Sequence, residues 1–414
     1  MVLMIDVAVI GAGSAGIAAA RALRDAGLAV QLLEARQRVG GRACTDSMTL
    51  GVPADLGAAW LHFADENHWT GIARAQGRHI IERDPGWGAR GLVGGRVPDD
   101  ASRATAETGF ERCWSLLEAA AESGLDVPVS QLLADEPFRP RFDAVMTWIM
   151  GVESRAVSSL DIARYADSNA DWAVQEGLGS VIAGAAEGLS VSLGTTVTAI
   201  DWDDRGVRIT SSRGVLEARA AIITLPTSLL ARDAIRFTPA LPAAHRHAIE
   251  SLPLGSNNKV FFRFDETDLP WHEPTHCLVH ADRSRTVHFG IRSAGQPLVM
   301  TYFGGDLSRE LEACGGLADF ARDALVQCFG AELATRIRAT LVTGWNADPF
   351  AGGSYSAALP GCATQREVLA TPVSPRLHLA GEACDIHHYG TLHGAWRSGV
   401  LAAERLIDTL RRSP

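Results

Sequence analysis

A short apolar run, Ile5-Asp6-Val7-Ala8-Val9-Ile10, leads directly into Gly11-Ala12-Gly13-Ser14-Ala15-Gly16, and an alanine-rich helical stretch from Ile17 to Asp25 follows at once. The run has the composition of a buried parallel strand, and a second strand, Leu28 to Leu33, delivers Glu34. This is G-x-G-x-x-G between a strand and a helix, with an acid about 20 residues further on. Gly11 permits the tight turn, Gly13 lets backbone approach a pyrophosphate, and Gly16 lets helix and strand pack closely. The helix N-terminus at Ser14 and Ala15 offers free N–H groups and partial positive charge to phosphate. Glu34 is placed to accept hydrogen bonds from ribose hydroxyls. The pattern predicts an α/β, Rossmann-like domain with a bound dinucleotide.

The residues that follow favour FAD over NAD. Ala35-Arg36-Gln37-Arg38-Val39-Gly40-Gly41-Arg42 is a basic, glycine-bearing loop directly after the ribose acid. A second cofactor signal lies near the other end of the chain. Arg376 to Glu382 reads as a strand breaking at Gly381, and a helix follows from Gly394. An extended FAD requires such a distant partner, and a nicotinamide half-site does not. The helix that begins near Thr391, Leu392 and Gly394 can point its positive end at the flavin N1–C2=O edge. Gly177-Leu178-Gly179-Ser180 lacks a third glycine and reads as a helix entry, so no second dinucleotide loop is expected. Reduced flavin would then pass its electrons to O2 or another external acceptor, which favours an oxidase or dehydrogenase over an NAD(P)H-driven monooxygenase.

A chain of 414 residues is long enough for two domains. The chain crosses between them several times: the expected FAD-binding domain takes 1–72, 190–245 and 345–414, and an α+β substrate-binding domain takes 73–189 and 246–344. Helices are expected near Ala101–Ser123, Phe142–Ile149, Gly179–Glu187 and Leu317–Phe329. A β-meander, Thr196–Trp202, Val207–Ser211 and Val215–Leu225, is assigned to the cofactor domain as a sheet extension. No apolar stretch reaches membrane-spanning length, and residues 1–10 already read as strand, so no leader or membrane segment is expected. The 7 cysteines include no C-x-x-C pair and read as reduced thiols in a cytoplasmic protein. A net charge of −10 argues against nucleic acid as a partner and suits a cationic small substrate. A monomer and a homodimer are equally compatible with the sequence.

Of the 38 basic residues, Lys259 is the only lysine. It sits in Asn257-Asn258-Lys259-Val260-Phe261-Phe262-Arg263-Phe264, whose alternation reads as a strand that turns Lys259 inward. A buried lysine is rarely idle.

Together these residues resemble the flavin-containing amine oxidases: monoamine oxidases, polyamine oxidases and lysine-specific histone demethylases. The likeness spans nearly the whole chain. Gly40-Gly41-Arg42 matches the family's GGR, and Asp55-Leu56-Gly57-Ala58-Ala59-Trp60-Leu61-His62 resembles its D-x-G-A-x-W-x-H/E segment. Thr196 to Ile200 resembles the strand whose valine backbone, here Val197, holds the adenine. Phe237 to Pro242 and Pro253-Leu254-Gly255 lead to Lys259 as in the family, which implies that Lys259 holds a water at flavin N5. Trp345 and Gly353-Ser354-Tyr355-Ser356 match the tryptophan and tyrosine flanking the ring, and Gly381-Glu382 through His393-Gly394-Ala395 matches the C-terminal flavin loop.

Two departures matter. Ser354 stands where monoamine oxidases carry the cysteine that bonds to flavin, which implies non-covalent FAD. Thr391 stands where they carry the second tyrosine of an aromatic cage. In both respects the pattern is closer to polyamine oxidases and histone demethylases, and no inserted helical tower is present. The resemblance implies oxidation of an amine C–N bond to an imine with O2 as acceptor, Lys259, Trp345 and Tyr355 serving the reaction. His62, Tyr355 and Thr391 are expected to meet the substrate. Asp167, Asp171 and Glu176 read as solvated acids, and no metal site is expected at Cys384, Asp385, His387 and His388. Two alternatives stay open: a desaturase or protoporphyrinogen-oxidase-like enzyme for larger apolar substrates, and a flavin-bound scaffold without turnover.

Overall fold

The computed structural model describes residues 5–83, 91–279 and 286–412. Its first sheet has eight strands. Ile5–Ile10 lies at the centre, parallel to Val30–Leu33 on one side and to Gly214–Ile223 on the other. In register, Ile10 opposes Leu33 and Ile223. Both faces of this central strand are covered. Val7 and Val9 pack towards helices Ser14–Asp25 and Leu392–Arg412, while Ala8 and Ile10 pack with Ile200, Ile209 and Leu379 on the other side. Burial on both faces is why the strand reads as a nearly continuous apolar run. The meander, Val197–Trp202, Val207–Ser211 and Gly214–Ile223, extends this same sheet through antiparallel pairs, and Leu377–Leu379 adds a parallel strand beside Ala221 to Ile223.

Helices Ser14–Asp25 and Leu392–Arg412 lie in direct contact, and Gly399 permits it. A β-carbon there would sit 2.2 Å from the Ala15 carbonyl oxygen. The starts of the two helices are fastened together by Ser14, whose hydroxyl donates to the Leu392 carbonyl at 2.6 Å and accepts from the Trp69 indole at 3.1 Å. Two helix N-termini therefore converge on one place, although 378 residues separate them in sequence.

The second sheet has six strands, in the order Ala339–Val342, Asn257–Arg263, Leu298–Gly304, Val287–Ile291, Thr275–Val279 and Leu92–Val93. One face buries Val260, Phe262, Phe289, Val299 and Phe303 with residues of helices Gly305–Cys314 and Leu317–Phe329. The opposite face carries Lys259, with Tyr302 directly across from it and His288 across from Tyr302. The period-two reading of residues 257–264 therefore holds. The helices expected in the middle of the chain appear as Asp100–Glu122, Arg139–Met150 and Leu178–Ala185. No helix among the described residues is long and apolar enough to cross a membrane.

Candidate active site

At the nucleotide end, two glycines are sterically required. Gly11 has φ +102°, and a β-carbon on Gly16 would lie 1.8 Å from the Gly11 carbonyl oxygen. At Gly13 the nearest neighbour of a β-carbon is Gly41 Cα, 4.0 Å away, so this backbone faces a groove it shares with the basic loop. The Glu34 carboxylate is held by the N–H groups of Ala12 and Arg36, each at 2.8 Å. The Glu34 and Arg36 carbonyls receive the N–H groups of Thr195 and Gly194, which brings the strand beginning at Val197 alongside. Ala35 and Gly41 remain half-buried beside them. A helix N-terminus, a side-chain-free backbone and a fixed carboxylate form a donor and acceptor set that fits the adenosine diphosphate part of a dinucleotide.

Arg42 links this end to the next. Its guanidinium donates to the Ser354 carbonyl and to Glu382 at 3.1 Å. Glu382 also accepts the Ser356 hydroxyl at 2.7 Å and the Gly390 N–H at 3.0 Å. Burial opposes its ionisation, but the charges of Arg42 and Arg366 and these donors prevail, so the carboxyl titrates below its ordinary range. Behind it Arg366, fully buried, forks onto Asp161 at 2.7 and 2.9 Å and lies 3.7 Å over the Tyr389 ring.

Gly57, Ala58 and Ala59 form a thin, half-buried segment. A β-carbon on Gly57 would meet the Arg42 carbonyl oxygen at 1.8 Å and the Trp345 ring at 3.1 Å. Trp345 is fixed by its indole N–H on the Leu56 carbonyl at 3.0 Å. The Lys259 ammonium donates to the carbonyls of Asp55 at 2.9 Å and Gly57 at 2.6 Å. Burial draws this amine down to about 8, with Asp55 opposing. An ammonium has three donors, and these two carbonyls leave one for a water or substrate. Asp55 in turn takes the Thr45 hydroxyl at 2.5 Å and the N–H groups of Leu178 and Gly179, so it caps helix Leu178–Ala185. The Gly177–Ser180 segment is thus a helix entry. Tyr302 lies opposite Lys259, and the Tyr355 hydroxyl, which donates to the Trp148 carbonyl, is 3.0 Å from that of Tyr302.

Several expected residues take other places. The Thr391 hydroxyl donates to the His388 carbonyl at 2.6 Å and accepts the Gly394 N–H at 3.0 Å. It caps the C-terminal helix, and Gly390 lies beside the Tyr355 ring. Ser14 spends its hydroxyl on Leu392, so what it offers a phosphate is backbone N–H. The Arg36 side chain forks onto Asp348 at 2.7 and 2.8 Å. Trp60 turns towards the second sheet, its ring 6.2 Å from that of His276. Asp171 is buried, 2.6 Å from His62 Nδ1, and is not a solvated acid. Burial lowers the His62 pKa, but the charge and hydrogen bond of Asp171 outweigh it and the net shift is upward. Ser354 Oγ donates to Asn257 Oδ1 at 2.7 Å.

Tyr302 and Trp148 were not foreseen as site residues. The strand containing Tyr302 is readable from its composition, but its register opposite Lys259 is not. A further network is equally silent in sequence: Asn258 accepts from the Trp345 N–H at 3.1 Å and donates to Glu312 at 2.6 Å, fixing the strand that carries Lys259 to the turn that carries Trp345.

A nucleotide cradle on one sheet and a buried lysine on the other, with a thin glycine-alanine segment between them, define a flavoprotein oxidoreductase site. Residues 14–76 and 100–407 match the family of flavin containing amine oxidoreductases, and the chain belongs to this family of enzymes. It is 31% identical to polyamine oxidase 4 of Oryza sativa subsp. japonica over 96% of this chain and 88% of that protein. It is 27% identical to lysine-specific histone demethylase 1 homolog 3 of Arabidopsis thaliana, over 98% of this chain but 30% of that protein. Its fold is that of cyclohexylamine oxidase from Brevibacterium oxydans IH-35A, with a TM-score of 0.83 and 22% identity over 99% of this chain and all of the other.

Proposed function

We propose that the protein binds FAD non-covalently and oxidises an amine at its α-carbon to an imine, with O2 as acceptor and hydrogen peroxide as product. The observation that carries this reading is the position of Lys259, buried against the Gly57 carbonyl that Trp345 approaches, and opposite Tyr302, whose hydroxyl meets that of Tyr355. Bound FAD supplies the hydride acceptor. Gly13 leaves backbone room for the pyrophosphate beside the Ala15 N–H, Gly11 and Gly16 shape the turn that presents it, and Glu34 serves the ribose. Gly57 to Ala59 give the flat ring a thin bed, and Gly381, Glu382 and Leu392 meet its far edge. Trp345 and Tyr355 wall the reacting end of the amine, Tyr355 offering its π-face. Lys259 holds a water in the same place with its third proton. The hydroxyl of Ser354, tied to Asn257, supports a cofactor held without a covalent bond at this position.

The interleaved FAD-binding and substrate-binding segments agree with this division of labour, one sheet serving each. Anaerobic titration of the purified protein with mono-, di- and polyamines, followed by air, tests the proposal. Bleaching of the flavin band by an amine, then recovery with peroxide, is expected. Bound flavin that no amine reduces would overturn it.

A further inference from the structure

The side of the six-stranded sheet that carries Lys259 is divided. Phe261, Leu298 and Met300 are covered by Leu50 and Ala54. From Lys259 a polar row runs the other way across successive strands. Tyr302 lies opposite Lys259 and His288 opposite Tyr302; on the next strand His276 Nδ1 is 2.8 Å from His288 Nε2, with the rings stacked at 4.9 Å. Trp148, from helix Arg139–Met150, closes on this row with its ring 5.7 Å from His288. Trp60 closes on it beside His276.

Three properties of the row constrain what it can receive. The Trp148 indole N–H is buried and has no acceptor among the described residues. A buried donor left unpaired costs about as much as a lost hydrogen bond, so a ligand that supplies an acceptor is favoured. None of the six strands contains an Asp or Glu. Burial and the neighbouring His276 hold His288 well below its ordinary titration range, which keeps it neutral. A second ammonium would find no counter-charge on these strands, and desolvating it there would be costly.

We propose that this row recognises the far end of the amine, and that this end is an uncharged hydrogen-bond acceptor: a hydroxyl, ether or amide oxygen received by Trp148 Nε1–H beside the His276–His288 pair. The inference rests on the amine-oxidase reading and narrows its substrate class. At matched chain lengths, kcat/KM of the holoenzyme is compared for an amino alcohol, the alkylamine with methyl in place of hydroxyl, the diamine, and the amino acid with a terminal carboxylate. The alcohol is expected to exceed the alkylamine by about tenfold at one length. Trp148→Phe is expected to bring that ratio towards one, and His288→Leu to lower it, so either variant suffices if the other does not fold. An alkylamine, diamine or amino acid as good as the alcohol at every length overturns the inference, as does a ratio that neither variant changes. Amines that all reduce the flavin without regard to the distal group defeat only this inference. Failure of every amine defeats the parent reading as well.

Discussion

The Lys259 ammonium lies 2.6 Å from the Gly57 carbonyl oxygen, in the turn whose β-carbon-free residue lets Trp345 approach. Backbone from the nucleotide-binding half of the chain thus orients the only lysine, which comes from the other sheet. The lysine must be buried to reach this position, and that burial lowers its pKa.

The first prediction concerns that amine. Its folded pKa of about 8 lies below the ordinary 10.5, so the unfolded chain binds the extra proton between those values and stability rises with pH across that window. If the charged form assists oxygen reduction, the rate constant for flavin reoxidation falls as pH rises through about 8. Lys259→Met should slow reoxidation by at least about tenfold and remove the inflection. Stopped-flow reoxidation across pH checks both, and unchanged kinetics would remove Lys259 from the reaction.

Glu382 gathers Arg42, the Ser356 hydroxyl and the Gly390 N–H. Glu382→Gln leaves Arg42 facing a neutral amide and turns one acceptor into a donor. FAD affinity should fall by about tenfold or more, read by flavin fluorescence released on dilution. An affinity equal to that of the unmodified protein would show that the carboxylate does not shape the cofactor loop.

The Arg366–Asp161 pair is buried at both partners. Arg366→Met strands the Asp161 charge, and the expected loss of stability is about 3–5 kcal/mol. Changing both partners to apolar residues should recover part of it. Chemical denaturation of the two variants and the parent makes the comparison, and a single variant as stable as the parent would refute it.

Where two helices touch, Gly399→Ala drives a methyl towards the Ala15 carbonyl, 2.2 Å away. Overpacking of this kind costs about 1–3 kcal/mol. Because this contact lies beside the Ser14–Leu392 bond that joins the starts of both helices, flavin retention should drop with it. Thermal unfolding with and without added FAD separates the two effects, and neither should be null.

His62 titrates above its ordinary value because Asp171 faces it. The stability this pair contributes is complete below pH 6.5 and is lost as pH rises through the raised value. Asp171→Asn should abolish that dependence, seen as a flat unfolding midpoint across the window. A dependence that persists would place its origin elsewhere.

The nucleotide end was legible because its chemistry is local. Gly11 to Gly16 and Glu34 lie within one strand-helix-strand unit, where each glycine has a steric reason that spacing alone reveals. Lys259 was legible through composition and alternation. The partners that complete the site were not, because they depend on register and on contacts across long separations. Nothing near Tyr302 tells which residue it opposes, and Arg366 finds Asp161 205 positions away. Thr391 shows the limit of matching by position. Aligned with a cage tyrosine, it carries a hydroxyl short enough to reach back and cap its own helix, which is the common use of a threonine at that place.

The Ser14–Leu392 bond also ties the phosphate-binding turn to a segment 378 residues away. Glu34 and Thr224 brace that turn, and the helix that follows it gains a further neighbour when Leu392 to Gly399 pack against it. Damage to the C-terminal helix would therefore be felt at a pocket whose own sequence it leaves untouched.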